Sequence, residues 1–292
     1  MDERICVLLS NTVHKVLILN EIMRAKMSTK ASSQRTQDSR SAISGVLCLP
    51  REKDISMNGQ ASNLLLLTLP QNYRNGLLAR LKPISLPLRT VLYEPDEAPK
   101  YAHFMTSGIA SIVSSMSDGA SAEVGVWGKE GLVESFHLLG KAKIPNRCFM
   151  QMEGTALRMP FKELQKEFLE SKELRDAVLQ CVQSQGFILG QLAACNRLHE
   201  AEQRLARWLL MVRDRVESES YYLTQEFLAN MLGARRTTVT AAAGALQRRG
   251  LISYSRGRIR IVDAAGLENA ACECYRTVGA LYRNFYSNTT AA

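Results

Sequence analysis

The segment Leu223–Arg260 constrains the fold more than any other part of the 292-residue chain. Thr224 can cap a short helix over Gln225–Leu232, and Gly233 can supply the turn that follows it. A second helix is predicted from about Arg235 to Arg248, because apolar residues recur along one of its faces. Two short helices joined by a glycine-containing turn are typical of the helix-turn-helix motif.

The charge of this segment has one sign. Between Met231 and Arg260 the chain has no acidic residue and seven arginines, at positions 235, 236, 248, 249, 256, 258 and 260. A solvated protein face normally carries both signs, so an acid-free arginine field favours contact with a polyanion. The net charge of +9 is a weaker indication of the same partner. Ser255–Arg258 is predicted to lie in a β-hairpin wing, with Ile259 and Ile261 facing inward.

These features predict that the partner is double-stranded DNA. A recognition helix enters the major groove by its N-terminal turn, where Arg can make two hydrogen bonds to a guanine and Thr can contact a base edge or a thymine methyl. Arginines of the wing would hold backbone phosphates. The predicted DNA-binding residues are Thr224, Gln225, Arg235, Arg236, Thr237, Thr238, Thr240, Arg256 and Arg258.

Upstream of this segment, short runs of alternating residues predict a β-rich domain. Between about residues 85 and 160, apolar and polar positions alternate in runs that turn residues separate. Asp118-Gly119 and Glu153-Gly154 are each predicted to be hairpin turns. Such short strands favour a β-barrel or jelly roll, preceded by a helix over 64–81 that Pro83 and Pro87 end. The predicted fold class is α+β, with this barrel, a long dimerisation helix and a C-terminal winged helix-turn-helix.

The long helix is predicted over residues 171–218. Its positions 174, 178, 181, 185, 188, 192, 195 and 199 are spaced alternately by four and three, a repeat of about 3.5 residues. This mostly apolar repeat favours a coiled-coil seam in a parallel homodimer, although the same face could instead pack on the chain's own barrel. The predicted dimer interface is Val178, Cys181, Gln185, Ile188, Leu192 and Cys195.

The chain divides into five predicted segments. Residues 1–60 include a tract rich in Ser, Thr, Gln and Arg and are expected to be mostly disordered. The barrel covers 61–170, the dimerisation helix 171–218, the winged helix-turn-helix 219–275 and a tail 276–292. No run reaches the roughly 18 apolar residues of a membrane span, and the N-terminal apolar runs are too short for a secretory leader. A cytoplasmic protein without membrane contact is expected.

The sequence predicts neither a metal centre nor an enzyme. The seven cysteines are scattered and are expected to be reduced, small apolar residues. Cys272-x-Cys274 has no Cys or His at ligand spacing near it in the sequence, so no metal is predicted. The chain lacks the phosphate-loop, dinucleotide-binding, zinc-helix and nucleophile-elbow motifs. The histidines and nearby acids of the barrel are interpreted as exposed strand and loop residues: His103, His137, Glu123, Glu130 and Glu134.

The order of these parts resembles that of the Crp/Fnr superfamily of bacterial transcription regulators. The likeness covers about residues 65–275 and is most specific in Leu223–Ala229, Gly233–Val239, Arg249–Ile252 and Asn196–Leu210. The resemblance implies a cyclic-nucleotide-binding-like barrel, a helical dimer interface and a winged helix that recruits or blocks RNA polymerase. It also implies that Arg236 contacts a base. Thr237 and Ala241 stand where the family has Glu and Arg, so a different operator is expected.

The barrel departs from the family pattern at the phosphate cradle. Cyclic-nucleotide binders use a Gly-Glu pair and an Arg followed by Ser or Thr, because an anion needs a fixed cation and backbone donors. Gly131–Phe136 lacks the Gly-Glu pair, and Cys148 follows Arg147 where a hydroxyl is needed. Cys6 and Cys48 do not form the N-terminal cysteine cluster of the family's iron–sulfur sensor. No cofactor is therefore predicted and cyclic AMP is not expected; a ligand- or redox-sensing protein, whose barrel or cysteines bind an effector, is the alternative.

Overall fold

The computed structural model describes residues 63–216 and 218–287. The predicted disorder of residues 1–60 lies outside the described residues. None of the described helices is both long enough and apolar enough to cross a membrane.

Two short helices precede the barrel: α1, Leu64–Leu67, and α2, Gln71–Leu78. The single helix predicted over 64–81 is wrong, because Pro70 stands at the N-cap of α2 and lacks the N–H that a continuous helix would use there. Asn63 caps α1, and its buried side chain also donates hydrogen bonds to the carbonyls of Met105 and Gly131. One polar side chain thereby ties α1 to the barrel.

The barrel consists of two antiparallel sheets, as the strand pattern predicts. Its strands are β1 (Lys82–Leu86), β2 (Val91–Tyr93), β3 (Tyr101–Met105), β4 (Ile109–Ser115), β5 (Ser121–Trp127), β6 (Asn146–Met152) and β7 (Gly154–Pro160). One sheet has the order β1-β7-β3 and the other β2-β6-β4-β5. Apolar side chains of both sheets meet in one core, which is the jelly-roll arrangement.

The two predicted hairpin turns have different outcomes. Asp118-Gly119 does join paired strands, β4 and β5, and Gly119 has the positive φ of 85° that such a turn needs. Glu153-Gly154 does not, because β6 and β7 belong to different sheets. A Cβ on Gly154 would lie 2.2 Å from the carbonyl oxygen of Ser107. Ser107 lies where the chain passes from β3 in one sheet to β4 in the other. Glycine is therefore required here by close backbone contact between two sheet-to-sheet corners.

Three helices follow the barrel: α3, Phe161–Glu170, α4, Lys172–Leu198, and α5, Ala201–Val216. The continuous helix predicted over 171–218 is wrong at its middle, because His199 has extended backbone angles (φ −105°, ψ 147°) and ends α4. The chain changes direction at His199-Glu200 and continues as α5.

The predicted dimer seam is covered by the chain itself. Val178 and Cys181 pack in the barrel core, Ile188 packs with β5 and α5, and Cys195 packs with the C-terminal cysteines. No one of Val178, Cys181, Gln185, Ile188 and Cys195 is more than 3% exposed, and Leu192 is half-buried. The interface assigned to these residues is therefore wrong, and the alternative of a helix packed on its own barrel is correct for this face.

The C-terminal part comprises β8 (Ser220–Tyr222), α6 (Gln225–Leu232), α7 (Arg236–Arg248), β9 (Ile252–Ser255), β10 (Arg258–Ile261), α8 (Ala264–Ala270) and α9 (Cys274–Ser287). The predicted tail over 276–292 is helical as far as Ser287, and α9 packs along α4. Arg215 of α5 reinforces this packing: it donates to the Tyr282 hydroxyl at 2.7 Å and forms a fully buried ion pair with Glu130 at 2.8 Å.

Candidate nucleic-acid interface

The helix-turn-helix forms as the sequence predicts, with boundaries that differ by one residue at most. The Thr224 hydroxyl accepts a hydrogen bond from the Phe227 N–H at 3.1 Å and so caps α6. Gly233 ends α6 in the left-handed conformation, with φ 55°. Arg235 then stands at the N-cap of α7, which begins at Arg236.

One face of α7 is buried and holds the helix in place. Val239, Ala242, Ala243 and Leu246 are buried in the core that α7 shares with α5 and α6. The alanines leave little side chain between the helices, so α7 lies close to its supports. This packing fixes which residues of α7 face outward.

The outward face is polar, basic and free of acids. Arg235, Arg236, Thr237, Thr238 and Thr240 are all exposed, as is Ala241. α7 has no carboxylate anywhere along its length, so its positive N-terminal end is not neutralised by its own side chains. An exposed helix N-terminus flanked by arginines attracts phosphate groups.

The Thr240 hydroxyl is partly occupied within the chain. Its oxygen lies 2.9 Å from the Arg236 carbonyl and 3.0 Å from Oε1 of Gln225, both of which are acceptors. The hydroxyl proton is therefore used internally, and Thr240 offers DNA its methyl group and a lone pair. The same contact holds Gln225 against α7.

The wing is a three-stranded sheet of the order β8-β10-β9, of which the sequence predicts two strands. Arg256 and Gly257 form its tip, with φ 48° and 79°, as a two-residue hairpin turn requires. Arg258 and Arg260 share the exposed face, whereas Ile259 and Ile261 are buried. The missed strand β8 brings the ring of Tyr222 to 2.9 Å from where a Cβ on Gly257 would lie.

The arginine field is not one continuous surface. Arg249 lies past the end of α7 and pairs with Glu202 of α5 at 2.7 Å. No ion pair involves Arg235, Arg236, Arg256 or Arg258 within the described part of the chain. Free positive charge is therefore present at the start of α7 and on the wing, and Arg248 at the end of α7 also has no ion pair among the described residues.

The helix-turn-helix also rests on the barrel. Leu228 and Met231 of α6 share a core with Ile109 and Val126 of the β4–β5 sheet. Beside this contact, a groove of about 370 Å³ lies between the barrel and the start of α6, and Thr224 is one of its lining residues. The barrel can thus influence the position of α6 and α7 by direct contact.

The barrel acids and histidines are buried or partly buried, so their interpretation as exposed residues is wrong. Glu134 accepts hydrogen bonds from the backbone N–H of His103 at 2.7 Å and lies 2.8 Å from its Nδ1. Both side chains are almost fully buried. Burial lowers the pKa of His137 to about 4, so this ring is neutral at pH 7. The bonds between Glu134 and His103 join β3 to the segment that follows β5.

A cavity of about 400 Å³ opens in the barrel beside α4. It is lined by Tyr93, Ile112, Val124, Phe136, Leu139, Gly140, Ala142, Ile144, Asn146 and Leu189. None of these lining residues is charged. Arg147, the cation nearest to a family-like cradle in sequence, pairs with Glu94 at 3.2 Å instead.

A second cavity, of about 350 Å³, lies between β5, α4 and α5 and is bordered by Glu123. The Glu123 carboxylate accepts from Trp208 Nε1 at 2.9 Å and lies 2.6 Å from the Ser111 hydroxyl. That hydroxyl is also 2.6 Å from Oε1 of Gln151, so its single proton cannot serve both oxygens. Burial raises the pKa of Glu123 to about 7, against the opposing effect of these hydrogen bonds. If Glu123 is protonated, its carboxyl group can donate to the Ser111 hydroxyl, and that hydroxyl can donate to Gln151.

Comparison with known proteins agrees with this geometry. Residues 203–270 match the Crp-like helix-turn-helix domain family. The chain carries a Crp-like DNA-binding domain. None of the curated proteins compared matches the chain.

Solved structures of Crp/Fnr regulators share the fold of about two thirds of the chain. A Crp/Fnr family transcriptional regulator of Eubacterium rectale is 16% identical, with a TM-score of 0.58, and the match covers 69% of this chain and 94% of that one. The c-di-GMP responsive global regulator CLP of Xanthomonas campestris is 16% identical, with a TM-score of 0.55 and coverage of 66% and 99%. A CRP family regulator of Thermus thermophilus is 20% identical, with a TM-score of 0.54 and coverage of 65% and 96%. The α+β fold class and the resemblance to the Crp/Fnr superfamily are thereby confirmed.

Proposed function

We propose that this protein is a sequence-specific transcription regulator that inserts α7 into the major groove of DNA. The observation that carries the proposal is the exposed, acid-free start of α7, flanked by a wing whose arginines have no ion pair within the described residues. A DNA-binding regulator would act in the bacterial cytoplasm, and recruiting or blocking RNA polymerase is the output we propose for it.

Base reading is assigned to the first turns of α7. Arg236 is the proposed guanine reader, since its guanidinium can bond two acceptors of one base. Thr237 and Thr238 offer shorter hydrogen-bonding groups, and Ala241 offers only a methyl. The wing residues Arg256 and Arg258 are assigned to phosphates, which contribute affinity without sequence preference.

The test begins with selection of bound sequences from random DNA by the full-length protein. On the selected site, Arg236→Ala should lose about 1–3 kcal/mol of binding free energy and relax the preference at one base pair. Arg258→Ala should weaken binding equally on all sequences and reduce the salt slope by about one. Arg249→Ala is the matched control, because this arginine is exposed but paired with Glu202. If Arg236→Ala and Arg258→Ala bind like the control, the proposed docking is wrong.

The second part of the proposal is a homodimer formed by the outer face of α4. Positions 179, 183, 186, 190, 193 and 197 of this face are exposed and are again spaced alternately by four and three. Leu179 is 46% exposed within this seam, and Phe187, directly beside position 186, is 61% exposed. The seam also carries Gly186 and Gly190, where helices could approach closely. A parallel pair would present two recognition helices to half-sites about one DNA turn, roughly 34 Å, apart.

Sedimentation measures this dimer directly. Phe187→Glu should convert a dimer at micromolar concentration into a monomer, since a charge would then be buried at the edge of the seam. Leu169→Glu is the control, because Leu169 is 68% exposed on α3, outside the proposed seam. Wild-type protein that sediments as a monomer contradicts the proposal.

We also propose that the regulator does not depend on cyclic AMP. The barrel cavity has no charged lining residue, and a cyclic phosphate buried there would lack a cation. An uncharged or weakly polar effector suits this cavity better. Addition of cyclic AMP should leave the affinity for the selected DNA unchanged, and an increase would refute this part.

A further inference from the structure

Three cysteines and a histidine that are distant in sequence meet at the end of α4. The ligand atoms of Cys195, His199, Cys272 and Cys274 all lie within 4.8 Å of one another. The Sγ atoms of Cys195 and Cys272 are 3.5 Å apart, as are Sγ of Cys274 and Nδ1 of His199. The prediction that Cys272-x-Cys274 stands alone is wrong, because its partners are Cys195 near the end of α4 and His199 just after it, more than 70 positions earlier in the chain.

These separations suit a single tetrahedral metal ion. With zinc bonds of about 2.3 Å to sulfur and about 2.0 Å to nitrogen, the corners of the tetrahedron are roughly 3.5–3.8 Å apart. Two of the separations are 3.5 Å and none exceeds 4.8 Å, so a metal could bind once side-chain rotations bring the ligand atoms up to about 1 Å closer. An iron–sulfur cluster spreads its thiolates around several iron atoms and needs a wider arrangement.

The surroundings of the four residues are those of a metal site. Nε2 of His199 lies 3.2 Å from the Glu273 carboxylate, which orients Nδ1 toward the sulfurs in the way that zinc-binding histidines are held. Nε2 of Gln191 donates to Sγ of Cys274 at 3.1 Å, a hydrogen bond that stabilises a thiolate.

Charge balance supports the same conclusion. Arg207 is only 4% exposed and has an Nε without a hydrogen-bond partner in the described chain. Its charge acts on Cys195 and Cys272, and also on Glu123 across the cavity that both line. A buried guanidinium needs a compensating negative charge. Zn²⁺ with three thiolates and a neutral imidazole carries one negative charge, which would compensate Arg207.

We propose that Cys195, His199, Cys272 and Cys274 bind one zinc ion, and that this ion fixes the Crp-like domain to α4. Two ligands precede the domain and two follow it, and His199 is itself the residue at which the chain turns from α4 into α5. Metal at this point would hold both ends of the domain in one orientation. The effect on DNA affinity rests on the proposed function, whereas the zinc site does not.

Cobalt titration of the full-length, reduced, metal-free protein tests the site. We expect one Co²⁺ to bind per chain. The bound cobalt should give the strong visible bands of a tetrahedral ion and a thiolate-to-cobalt charge-transfer band. All of these bands should disappear when Zn²⁺ displaces the cobalt. Cys272→Ser should weaken zinc binding by more than about a hundredfold, and Glu273→Gln by about 10–100-fold, since it removes only the support of His199. Cys148→Ser, at a buried thiol in the barrel, is the matched control and should bind zinc like wild type.

Three outcomes would overturn the zinc site. They are an octahedral cobalt spectrum without charge transfer, the absorption of an iron–sulfur cluster in freshly purified protein, and a Cys195–Cys272 disulfide in protein that takes up no metal after reduction. Circular dichroism of Cys272→Ser separates lost ligation from lost folding, and Glu273→Gln gives a second variant outside the ligand set.

The effect on DNA is measured separately, by affinity for the selected sequence with and without zinc. We expect a change of about 5–150-fold, the range of typical coupling between two sites. Equal affinities would refute the coupling. If neither form prefers any DNA sequence, the proposed function fails, and the cobalt spectrum still decides the metal site.

Discussion

Replacing Glu123 with Gln should stabilise the protein at neutral pH. Burial beside the 350 Å³ cavity raises the pKa of this carboxyl from 4.5 to about 7. Between these pH values the unfolded chain has released a proton that the folded chain retains. The free energy of unfolding therefore falls as the pH rises through this window, and it levels off above about pH 7.

The two pKa values set the size of the effect. Each tenfold change in proton affinity is worth about 1.4 kcal/mol. Above pH 7, the ionisation of Glu123 therefore lowers the free energy of unfolding by at most about 3.4 kcal/mol. Glu123 keeps some exposure at the cavity, where water offsets part of the burial, so about 1–3 kcal/mol is expected. Gln can reproduce the bonds of the protonated carboxyl, by accepting from Trp208 and donating to Ser111.

Urea unfolding of both proteins, followed by tryptophan fluorescence at one protein concentration, measures the difference. The two proteins should be about equally stable near pH 4.5, and the variant should gain steadily up to about pH 8. Other titrating groups contribute equally to both proteins and cancel. Glu97→Gln, in an exposed loop, serves as the control and should give no such trend. A constant gap across this range, or a variant less stable at pH 8, would refute the raised pKa.

Two further substitutions test the packing, each by urea unfolding. Glu130→Ala should cost about 3–5 kcal/mol, because it leaves the buried Arg215 unpaired, whereas Glu94→Ala in an exposed pair should cost about 1 kcal/mol or less. Equal losses would show that burial does not decide the strength of these pairs. Gly154→Ala should cost about 1–3 kcal/mol or more, since its Cβ would lie 2.2 Å from a carbonyl oxygen, whereas Gly140→Ala has nothing within 4 Å and should be nearly neutral. A neutral Gly154→Ala would contradict the backbone contact.

The parts that the sequence predicts well are those that neighbouring residues decide. Thr224 caps α6 through a residue three positions away, and Gly233 ends it by its own φ. The wing tip needs only Arg256 and Gly257 in a two-residue turn. Caps, turns and periodicity depend on residues that are close in sequence, so they can be predicted from the amino-acid sequence alone.

The parts that the sequence predicts poorly depend on distant contacts. α4 repeats a four-and-three spacing on both its buried and its exposed face, and spacing does not say which face meets the barrel. Glu153-Gly154 has a sequence typical of a hairpin turn, but β6 and β7 pair with strands of different sheets and not with each other. Cys195 and Cys272 approach only because α9 returns to α4 across 77 positions.

That return changes how the chain can be divided. The Crp-like domain begins just after His199 and ends just before Cys272, and these two points lie side by side. The domain is thus followed by α9, which packs back along α4 and also contributes Tyr275, Val278 and Tyr282 to the core shared with α5 and the helix-turn-helix. Cutting the chain before α9 would expose part of α4 and remove Tyr282 from Arg215. Exchanging residues 200–271 would in turn remove Arg215 from the buried Glu130 and Trp208 from Glu123, so the inserted domain and the barrel depend on each other's buried groups.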